Sequence, residues 1–342
     1  MSERLEPRLA NELLARLGAG FDVKLSYAEV PSRLPGGYSS DLFRLRLDGV
    51  ARELGGDLVL RLMHGDRDAA REICVHREVA TTGFPAPTVH FAADSRAGLG
   101  RPFMLMDRVE GRSLLEGSPR ELRRLPGLLA EVMARLHALD PEPLGRALKE
   151  AGWTDQALGA QGVLAEIGDS IAAAGAQGLA PGEHWLRVNR PARGRLVICH
   201  GDLHPGNLLM REGELVSVVD WEMATLEEAE FDVARTVVIL SSAPGGDGVR
   251  SWLRRRIGPL AARRFVARYT QRAKLEAERL RWNEALHCLR LVALAAAATV
   301  GSARQAPGVV ALWAPLVDRL AERFRRLTGV AVTPAGIEPG TP

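Results

Sequence analysis

The stretch HGDLHPGNLL, from His200 to Leu209, places one acidic residue, two histidines and one amide within its first eight positions. An apolar, β-branched run precedes it at residues 195–200 (RLVICH), and a second run follows at residues 215–221 (LVSVVDW). Such runs are typical of short buried strands. A polar loop between two buried strands is held at one end of a packed scaffold, so its side chains can converge on one point. We therefore expect a functional site in residues 200–207, called the HGD loop below.

Three side chains in or near this loop carry oxygen ligands. Asp202 and Asn207 lie five positions apart, and Asp220 ends the second apolar run. Two carboxylates and an amide oxygen suit Mg²⁺, which prefers oxygen ligands and keeps water or phosphate in its other positions. The pair Asp202 and Asn207 alone is more typical of a turn in which both residues cap backbone groups. Asp220 favours the metal site, because a carboxylate at the end of a buried strand needs a partner.

The motif HGDLHPGN followed by VVDW closely resembles the aminoglycoside phosphotransferase-like family, relatives of protein kinases that include choline, homoserine and methylthioribose kinases. The resemblance covers about residues 34–235 by motif. It implies an α+β, two-lobed protein-kinase-like fold. The expected N-terminal lobe, residues 1–108, holds a small antiparallel sheet with one helix and is preceded by an N-terminal helix. A larger, mainly helical lobe is expected at residues 109–330, with a flexible tail at 331–342.

The resemblance also implies a chemistry for the HGD loop. Asp202 becomes the catalytic base, which accepts or orients the proton of a substrate hydroxyl, while Asn207 and Asp220 hold the Mg²⁺ ions that bridge the phosphates of ATP. His200, His204 and Asp232 take supporting roles. His200 is expected to brace the loop backbone, His204 to stabilise the loop by a hydrogen bond, and Asp232 in EFDVART to anchor the loop.

The phosphate-binding elements of the first lobe are less distinct. In LPGGYSSDLF, Gly36, Gly37 and Ser39 match the family's glycine turn over the phosphates, although Gly-Gly is also an ordinary hairpin turn. The strand that normally carries a lysine for the phosphates has Arg61 instead, and no lysine occurs between Lys24 and Lys149. Arg61 can donate to phosphate and to a carboxylate, but its planar fork differs from a point charge. The alternative is a strand arginine that faces solvent.

The partner of Arg61 is expected on the helix near residues 68–81. Glu72 shares a stripe with Val75 and Val79, at i+3 and i+7, which turns it towards the interior, whereas Glu78 falls on another face.

The connection between the lobes is expected after RPFMLMDRVEG (101–111). The family pairs the backbone of this segment with adenine, so the Asp107 carbonyl and the Val109 amide are the expected contacts, although any strand end would look the same.

Helical periodicity dominates after Gly111. Candidate helices lie near residues 119–138, 154–174, 225–241, 248–276, 280–300 and 308–328, after an earlier one at 8–18. Strand candidates lie at 21–30, 41–48, 56–63 and 101–109, and at the two runs that flank the HGD loop.

Composition restricts the partners. The 342 residues carry a formal charge of +3, and the densest basic run, Arg254 to Arg264, alternates with apolar residues as a solvated helix face does. We therefore expect neither nucleic acid nor membrane as a partner. Three widely spaced cysteines give no disulfide framework, and the N-terminus lacks a signal-peptide core, so a cytoplasmic protein is expected.

The acceptor of the phosphoryl group is the least determined element. The glutamates of WEMATLEEAEFD, at positions 222, 227, 228 and 230, could form an acidic wall for a polycationic aminoglycoside or could start a solvated helix. An antibiotic or aminosugar kinase is the leading hypothesis. A kinase of a housekeeping metabolite and a nucleotide-binding pseudokinase that acts as a regulatory module are the alternatives.

Overall fold

The computed structural model describes residues 4–35, 40–50, 54–63, 65–95, 99–242, 249–300 and 313–333, without the side chains of Arg67 and of residues 249–255. The chain divides into two compact units. Unit 1 comprises Met1–Glu116 and Asn207–Met223, and unit 2 comprises Gly117–Gly206 and Ala224–Pro342. These units alternate along the chain, whereas the expected lobes are consecutive. The boundaries at 108/109 and 330/331 stay predictions.

Unit 1 is built on a five-stranded antiparallel sheet in the order β1-β2-β3-β5-β4. The strands are β1 (Ser26–Arg33), β2 (Ser40–Asp48), β3 (Leu58–Met63), β4 (Val89–Ala93) and β5 (Phe103–Asp107). The first helix, α1 (Pro7–Phe21), is longer than the expected 8–18, so the chain at Phe21 is helical and β1 starts five residues later. Among the described residues, α2 (Asp66–Thr81) is the helix between strands of this sheet, as the fold prediction requires.

The central strand β3 is buried on both faces of the sheet. Because side chains alternate along a strand, Leu58, Leu60 and Leu62 point into one apolar core, which also takes up Leu13 and Leu17 of α1. Met63 points to the other face, where it packs with residues of α2. Arg61 has the same parity as Met63, so β3 delivers a buried guanidinium to the α2 side of the sheet.

Helix α2 presents the stripe expected from its sequence. Val75 and Val79 are fully buried, and Glu72 is almost so. The helix ends at Thr81, two residues before Gly83, whose φ of 72° is left-handed and therefore suits glycine. The two buried valines determine which face of α2 points inward, and Glu72 lies on that face.

The second segment of unit 1 adds a hairpin to a short strand near the end of the first segment. Strands β8 (Leu208–Arg211) and β9 (Glu214–Val218) pair with each other, and β8 also pairs with β6 (Arg112–Ser113). The backbone N–H of Val218 donates to the carbonyl of Pro85 (2.6 Å), which links the hairpin to the segment after α2.

Unit 2 is mainly helical. Its helices are α3 (Pro119–His137), α4 (Glu142–Glu150), α5 (Gly159–Ala174), α6 (Ala180–Val188), α7 (Ala229–Ser242), α8 (Val249–Thr270), α9 (Ala277–Thr299) and α10 (Val317–Thr328). Helix α3 begins at a capping box in which Ser118 and Glu121 bond reciprocally, and this fixes its start. Helix α9 is buried along most of its length and forms a core with α5 and α10. None of the helices in the described part of the chain has the length and apolar character needed to cross a bilayer.

The two apolar runs that flank the HGD loop are strands, but they do not pair with each other. The first is β7 (Leu196–Cys199), which pairs with β10 (Thr225–Glu228) in unit 2. The second is β9, which pairs with β8 in unit 1. The two runs therefore belong to different sheets, because the chain passes from one unit to the other within the stretch.

The helix predictions were accurate where periodicity is strong. Helices α3, α8 and α9 start within three residues of their expected positions, whereas the predictions missed α4 and α6, each only nine residues long. The helix expected over 225–241 is shortened, because residues 225–228 form β10 and α7 starts at Ala229. Within unit 2, α7 therefore begins directly after β10, the strand that pairs with β7.

Candidate active site

The HGD loop follows β7 in unit 2, and the side chain of Asp202 is tightly held there. Arg235 of α7 donates to Oδ1 of Asp202 through both Nη2 (2.9 Å) and Nε (3.2 Å). The other oxygen, Oδ2, lies 3.5 Å from Nε2 of His204. The backbone N–H of Asp202 donates to Nδ1 of the buried His200 (3.3 Å). Arg235 and His204 therefore approach opposite oxygens of the Asp202 carboxylate.

This environment keeps Asp202 ionised. Burial alone would raise the pKa of its carboxyl, but Arg235, His204 and His200 outweigh burial and hold the pKa well below its usual range. Arg235 is itself buried, so solvent screens this charge pair little.

Asp232 holds the backbone of the same loop. Its carboxylate is completely buried and accepts the N–H groups of His200 (2.8 Å) and Gly201 (2.9 Å). Nε2 of His137 lies 3.1 Å from the same carboxylate, and Nδ1 of His137 lies 2.7 Å from the hydroxyl of Tyr269. These contacts fix the start of the HGD loop against α3, α7 and α8. His204 adds a turn of its own, since its Nδ1 accepts the N–H of Gly206 (3.0 Å).

In unit 1, Arg61 meets Glu72. The Nε atom of Arg61 lies 3.1 Å from Oε1 of Glu72, and the two side chains are only 8% and 4% exposed. Glu72 is thus the glutamate of α2 that contacts Arg61. The alternative of a solvent-facing strand arginine at position 61 is wrong, because its guanidinium is buried.

Arg61 also reaches the segment that follows β9. Its Nη2 atom lies 3.3 Å from Oδ1 of Asp220 and 3.6 Å from Oε2 of Glu222. Between these two acids, the Trp221 ring is fully buried against the rings of Phe84 and His76. Because Trp221 lies between the two acids in sequence, its packing places both carboxylates beside the guanidinium of Arg61. Asp220 adopts a left-handed φ of 67°, a conformation that is uncommon outside glycine and that clusters at functional sites.

Asn207 lies at the same end of the hairpin. Its backbone carbonyl accepts the N–H of Val219 (3.0 Å), the residue before Asp220, and its side chain is buried. The structure therefore brings the two expected metal ligands to one end of the β8–β9 hairpin. Asp202 belongs to unit 2, so the convergence of all three residues on one ion stays a prediction.

Three carboxylates lie around the guanidinium of Arg61, those of Glu72, Asp220 and Glu222. A second arginine, Arg71, donates to the backbone carbonyl of Glu222 (2.8 Å). Burial raises the pKa of Glu72 above its usual range; the charges of Arg61 and Arg71 oppose this, and the other two carboxylates add to it. The pKa of Arg61 is raised, because the three carboxylates together outweigh its burial. Carboxylate oxygens are donors that suit a hard divalent cation.

The segment expected to contact adenine lies at the end of β5. Its backbone carries one spare donor, because the N–H of Val109 bonds to no acceptor within the described part of the chain. The side chain of Asp107 is engaged with Nε2 of His90 at 2.7 Å. Gly36, Gly37 and Ser39, the expected phosphate turn, lie outside the described residues.

The acidic stretch after Asp220 differs from both expectations. Glu227, Glu228 and Glu230 are buried, so they form neither a solvated helix start nor an acidic wall. Each accepts a backbone N–H within unit 2, from Ala160, Gly194 and Glu276 respectively. Glu222 belongs to unit 1, where it lies near Arg61.

Two site residues were not predicted from the sequence. Arg235 was missed, although its position three residues after Asp232 on one helix gave a signal, since i and i+3 share a face. Glu222 was considered only as part of an acidic wall, whereas its contact with Arg61 depends on how Trp221 packs.

Comparison with known families agrees with this geometry. The family model described as the phosphotransferase enzyme family (APH) matches residues 31–282, well over half of the chain. The chain belongs to this family.

Curated relatives match only in part. Acyl-CoA dehydrogenase family member 10 of Mus musculus is 25% identical over 183 residues, which cover 48% of this chain and 16% of that protein. Acyl-CoA dehydrogenase family member 11 of Rattus norvegicus is 26% identical over 182 residues, which cover 48% of this chain and 22% of that protein. The matched segments thus span less than a quarter of these relatives.

Solved structures share the fold over nearly the whole chain. A protein from Ralstonia eutropha, provisionally described as an aminoglycoside phosphotransferase, has a TM-score of 0.65 at 18% identity and covers 93% of this chain and 98% of its own. A thermostable mutant of aminoglycoside phosphotransferase APH(4)-Ia, in ternary complex with ADP and hygromycin B, has a TM-score of 0.56 at 18% identity and covers 92% and 98%. The chain therefore has the α+β, protein-kinase-like fold of these phosphotransferases.

Proposed function

We propose that this phosphotransferase-family protein transfers the γ-phosphoryl group of ATP to a hydroxyl group of a small molecule. The observation that carries the proposal is the buried Arg61–Glu72 pair with Asp220 on the same guanidinium. In phosphoryl transfer the protein mainly positions the nucleotide and neutralises charge, and a strand cation paired with a helix glutamate serves this purpose in the protein-kinase plan. The solved relative that holds ADP supports the nucleotide class.

Each element then has a role. Arg61 donates to the α- and β-phosphates, oriented by Glu72. The Val109 amide and the Asp107 carbonyl pair with adenine, and the turn at Gly36, Gly37 and Ser39 covers the phosphates.

Mg²⁺ fits the donor set, because carboxylate and amide oxygens are the ligands that it prefers. Asn207 and Asp220 would hold the ion, which neutralises phosphate charge when bound.

Asp202 performs the step at the acceptor. The acceptor hydroxyl gives its proton to Asp202, its oxygen bonds to the γ-phosphorus, and the bond to the bridging oxygen breaks with its electron pair leaving on ADP. The HGD loop is held by Asp232, so the carboxylate is pre-positioned and little reorganisation is needed.

One structural observation bears on the class of molecule that accepts the phosphoryl group. Glu227, Glu228 and Glu230 are satisfied by backbone N–H groups, so this stretch does not favour a polycation. An antibiotic or aminosugar and a housekeeping amino alcohol are both to be tested. Hygromycin B, which the solved relative binds, is a suitable first antibiotic.

A regulatory module is the second candidate, and the contact between Arg61 and Asp220 favours it. An ion pair between these two residues competes with phosphate for the arginine and with metal for the carboxylate. A protein that keeps this pair when ATP is present would bind nucleotide without turnover.

One experiment separates these candidates. ADP release from Mg²⁺–ATP is measured with a panel of hydroxylated antibiotics and metabolites, for the wild type, Asp202→Ala and the control Asp155→Ala. Asp155 forms only an exposed pair with Arg193. Acceptor-dependent release that Asp202→Ala abolishes and Asp155→Ala retains is the expected result. ATP binding with no release for any acceptor would refute the enzyme and favour the module.

A further inference from the structure

One face of α7 holds four successive residues of the HGD loop. Asp232 accepts the N–H groups of residues 200 and 201, and Arg235 donates to the side chain of Asp202. The hydroxyl of Thr236 donates to the carbonyl of Leu203 (2.7 Å). These three α7 residues are spaced i, i+3 and i+4, so they form one stripe along the helix.

Arg235 differs from the other two members of this stripe. Asp232 and Thr236 bond to backbone atoms, so they shape the loop. Arg235 bonds to the functional carboxylate itself, and its Nε and Nη2 atoms both donate to the same oxygen, Oδ1 of Asp202. Nε2 of His204 lies 3.5 Å from the other oxygen, Oδ2.

The guanidinium has little freedom to move. It is buried and lies over the ring of Trp313, with 5.6 Å between Cζ and the ring centroid. A second buried arginine, Arg290, pairs with Glu166 at 2.6 Å on the neighbouring helices α9 and α5. Burial and the charge of Arg290 lower the pKa of Arg235, whereas Asp202 and, to a smaller extent, Glu166 raise it. Asp202 thus supplies the largest compensating charge for Arg235.

Several other charged or titratable groups of unit 2 act on the Asp202–Arg235 pair. They are His200 and His204 in the loop, Glu166 on α5, and His287 and Arg290 on α9. Among the causes that lower the pKa of Asp202, Arg235 is the largest.

We infer that Arg235 is a positioning residue of phosphoryl transfer, which holds the Asp202 carboxylate in place through Oδ1 and keeps it anionic. The inference rests on the proposed function. In the transfer step, the proton moves from the acceptor oxygen to the Asp202 carboxylate and leaves to solvent after ADP forms. Arg235 neither gives nor takes a proton.

The test uses the full chain with Arg235→Met, Arg235→Lys and the matched control Thr236→Val. Thr236→Val removes a hydrogen bond between the same helix face and the same loop without changing charge. The first readout is a pH titration of the aspartate side-chain carboxyl carbons by ¹³C NMR, in which the Asp202 signal is identified by its absence in Asp202→Asn. This readout needs neither ATP nor an acceptor.

In the wild type, the Asp202 signal should stay that of a carboxylate throughout the range in which the protein is folded. In Arg235→Met its apparent pKa should rise, because burial is then opposed only by the histidines. Arg235→Lys, which keeps the charge and loses the fork, should fall between the two, and it also serves if the methionine variant does not fold. Thr236→Val should leave the titration unchanged.

The second readout is the pH profile of ADP release from Mg²⁺–ATP, with the acceptor found in the panel or with water. Arg235→Met should lower kcat about 10- to 100-fold, part of the ~10²–10⁴ that proton transfer contributes. It should change the KM for ATP little and move the acid limb to higher pH.

An unchanged Asp202 titration in both Arg235 variants would overturn the inference, and so would an equal shift in Thr236→Val. Absence of turnover in the wild type would count against the proposed function alone, because the carboxyl titration still decides the role of Arg235.

Discussion

Replacing Asp232 by asparagine should destabilise unit 2 through the start of the HGD loop. The carboxylate accepts the Gly201 N–H at Oδ1 and the His200 N–H at Oδ2, and His137 also contacts Oδ2. Asparagine keeps the shape but replaces one acceptor oxygen by a donor. The less costly orientation puts the amide nitrogen at Oδ1, which leaves the Gly201 N–H unpaired and turns two charged hydrogen bonds into neutral ones.

The magnitude follows from these contacts. A hydrogen bond to a charged group contributes about 1.5–3 kcal/mol, and a buried donor left without a partner costs a similar amount. Relief of the buried charge offsets part of this loss. We expect Asp232→Asn to lower the free energy of unfolding by about 2–4 kcal/mol at pH 7. Asp155→Asn is the matched control, because its exposed pair with Arg193 contributes at most about 1 kcal/mol.

The pH dependence has a definite sign. Burial alone would raise the pKa of Asp232, but His137, His200 and the backbone N–H outweigh it and lower the pKa. A lowered pKa in the folded state stabilises the protein above the unfolded pKa of about 4, and this contribution is lost as pH falls below that value. The gap between wild type and Asp232→Asn should therefore be constant from about pH 5 to 8 and shrink in acid.

Two measurements check this prediction. Urea denaturation at a series of pH values gives the stability gap, and hydrogen–deuterium exchange of a peptide that spans residues 196–203 reports locally on the anchored amides. Exchange in this peptide should be faster in Asp232→Asn than in Asp155→Asn. Equal stability of the two variants at neutral pH, or a gap that persists in acid, would refute the reasoning.

Three further outcomes are expected. Glu72→Gln should raise the KM for ATP and lower kcat, because it removes the buried partner of Arg61. Glu78→Gln should change neither constant. Equal kinetic damage from the two variants would mean that the inward-facing position of Glu72 is not what determines activity. Gly206→Ala should lower kcat several-fold, because a Cβ there would lie 2.5 Å from Cε1 of the His204 ring and displace it; wild-type kinetics would show that the ring can yield freely. Asp220→Asn should abolish Mg²⁺-dependent turnover yet cost under about 1 kcal/mol in stability, since it relieves carboxylate crowding; urea denaturation that shows a loss of several kcal/mol would contradict this.

The fold followed from sequence where patterns are local and strong. The i, i+3, i+7 stripe of Glu72, Val75 and Val79 gave the phase of α2, and the short apolar run in residues 56–63 gave β3. β10 was missed because TLEE resembles a helix start in composition. It is a strand because it pairs with β7, and Glu227 in it bonds to a backbone N–H of α5. Pairing across 28 residues is not readable from a four-residue pattern.

The contacts of the candidate site could not be predicted from its residue types. Asp202, Asn207 and Asp220 stand in a motif that predicts their roles, whereas Arg235 has no motif and is recognised by its distance to Asp202. The position of Glu222 depends on burial of Trp221, which brings together residues more than 130 positions apart.

The alternation of the two units along the chain constrains how the protein can fold during synthesis. Strand β6 finds its partner β8 only about a hundred residues later, and Arg61 meets Asp220 later still. A nascent chain that ends near residue 200 can form the five-stranded sheet but lacks β8, the central strand of the three-stranded sheet. Since helices α3 to α6 of unit 2 are synthesised before β8, unit 1 is completed only after much of unit 2 has been made, and a fragment cut at residue 116 would leave β6 without the strand that it pairs with.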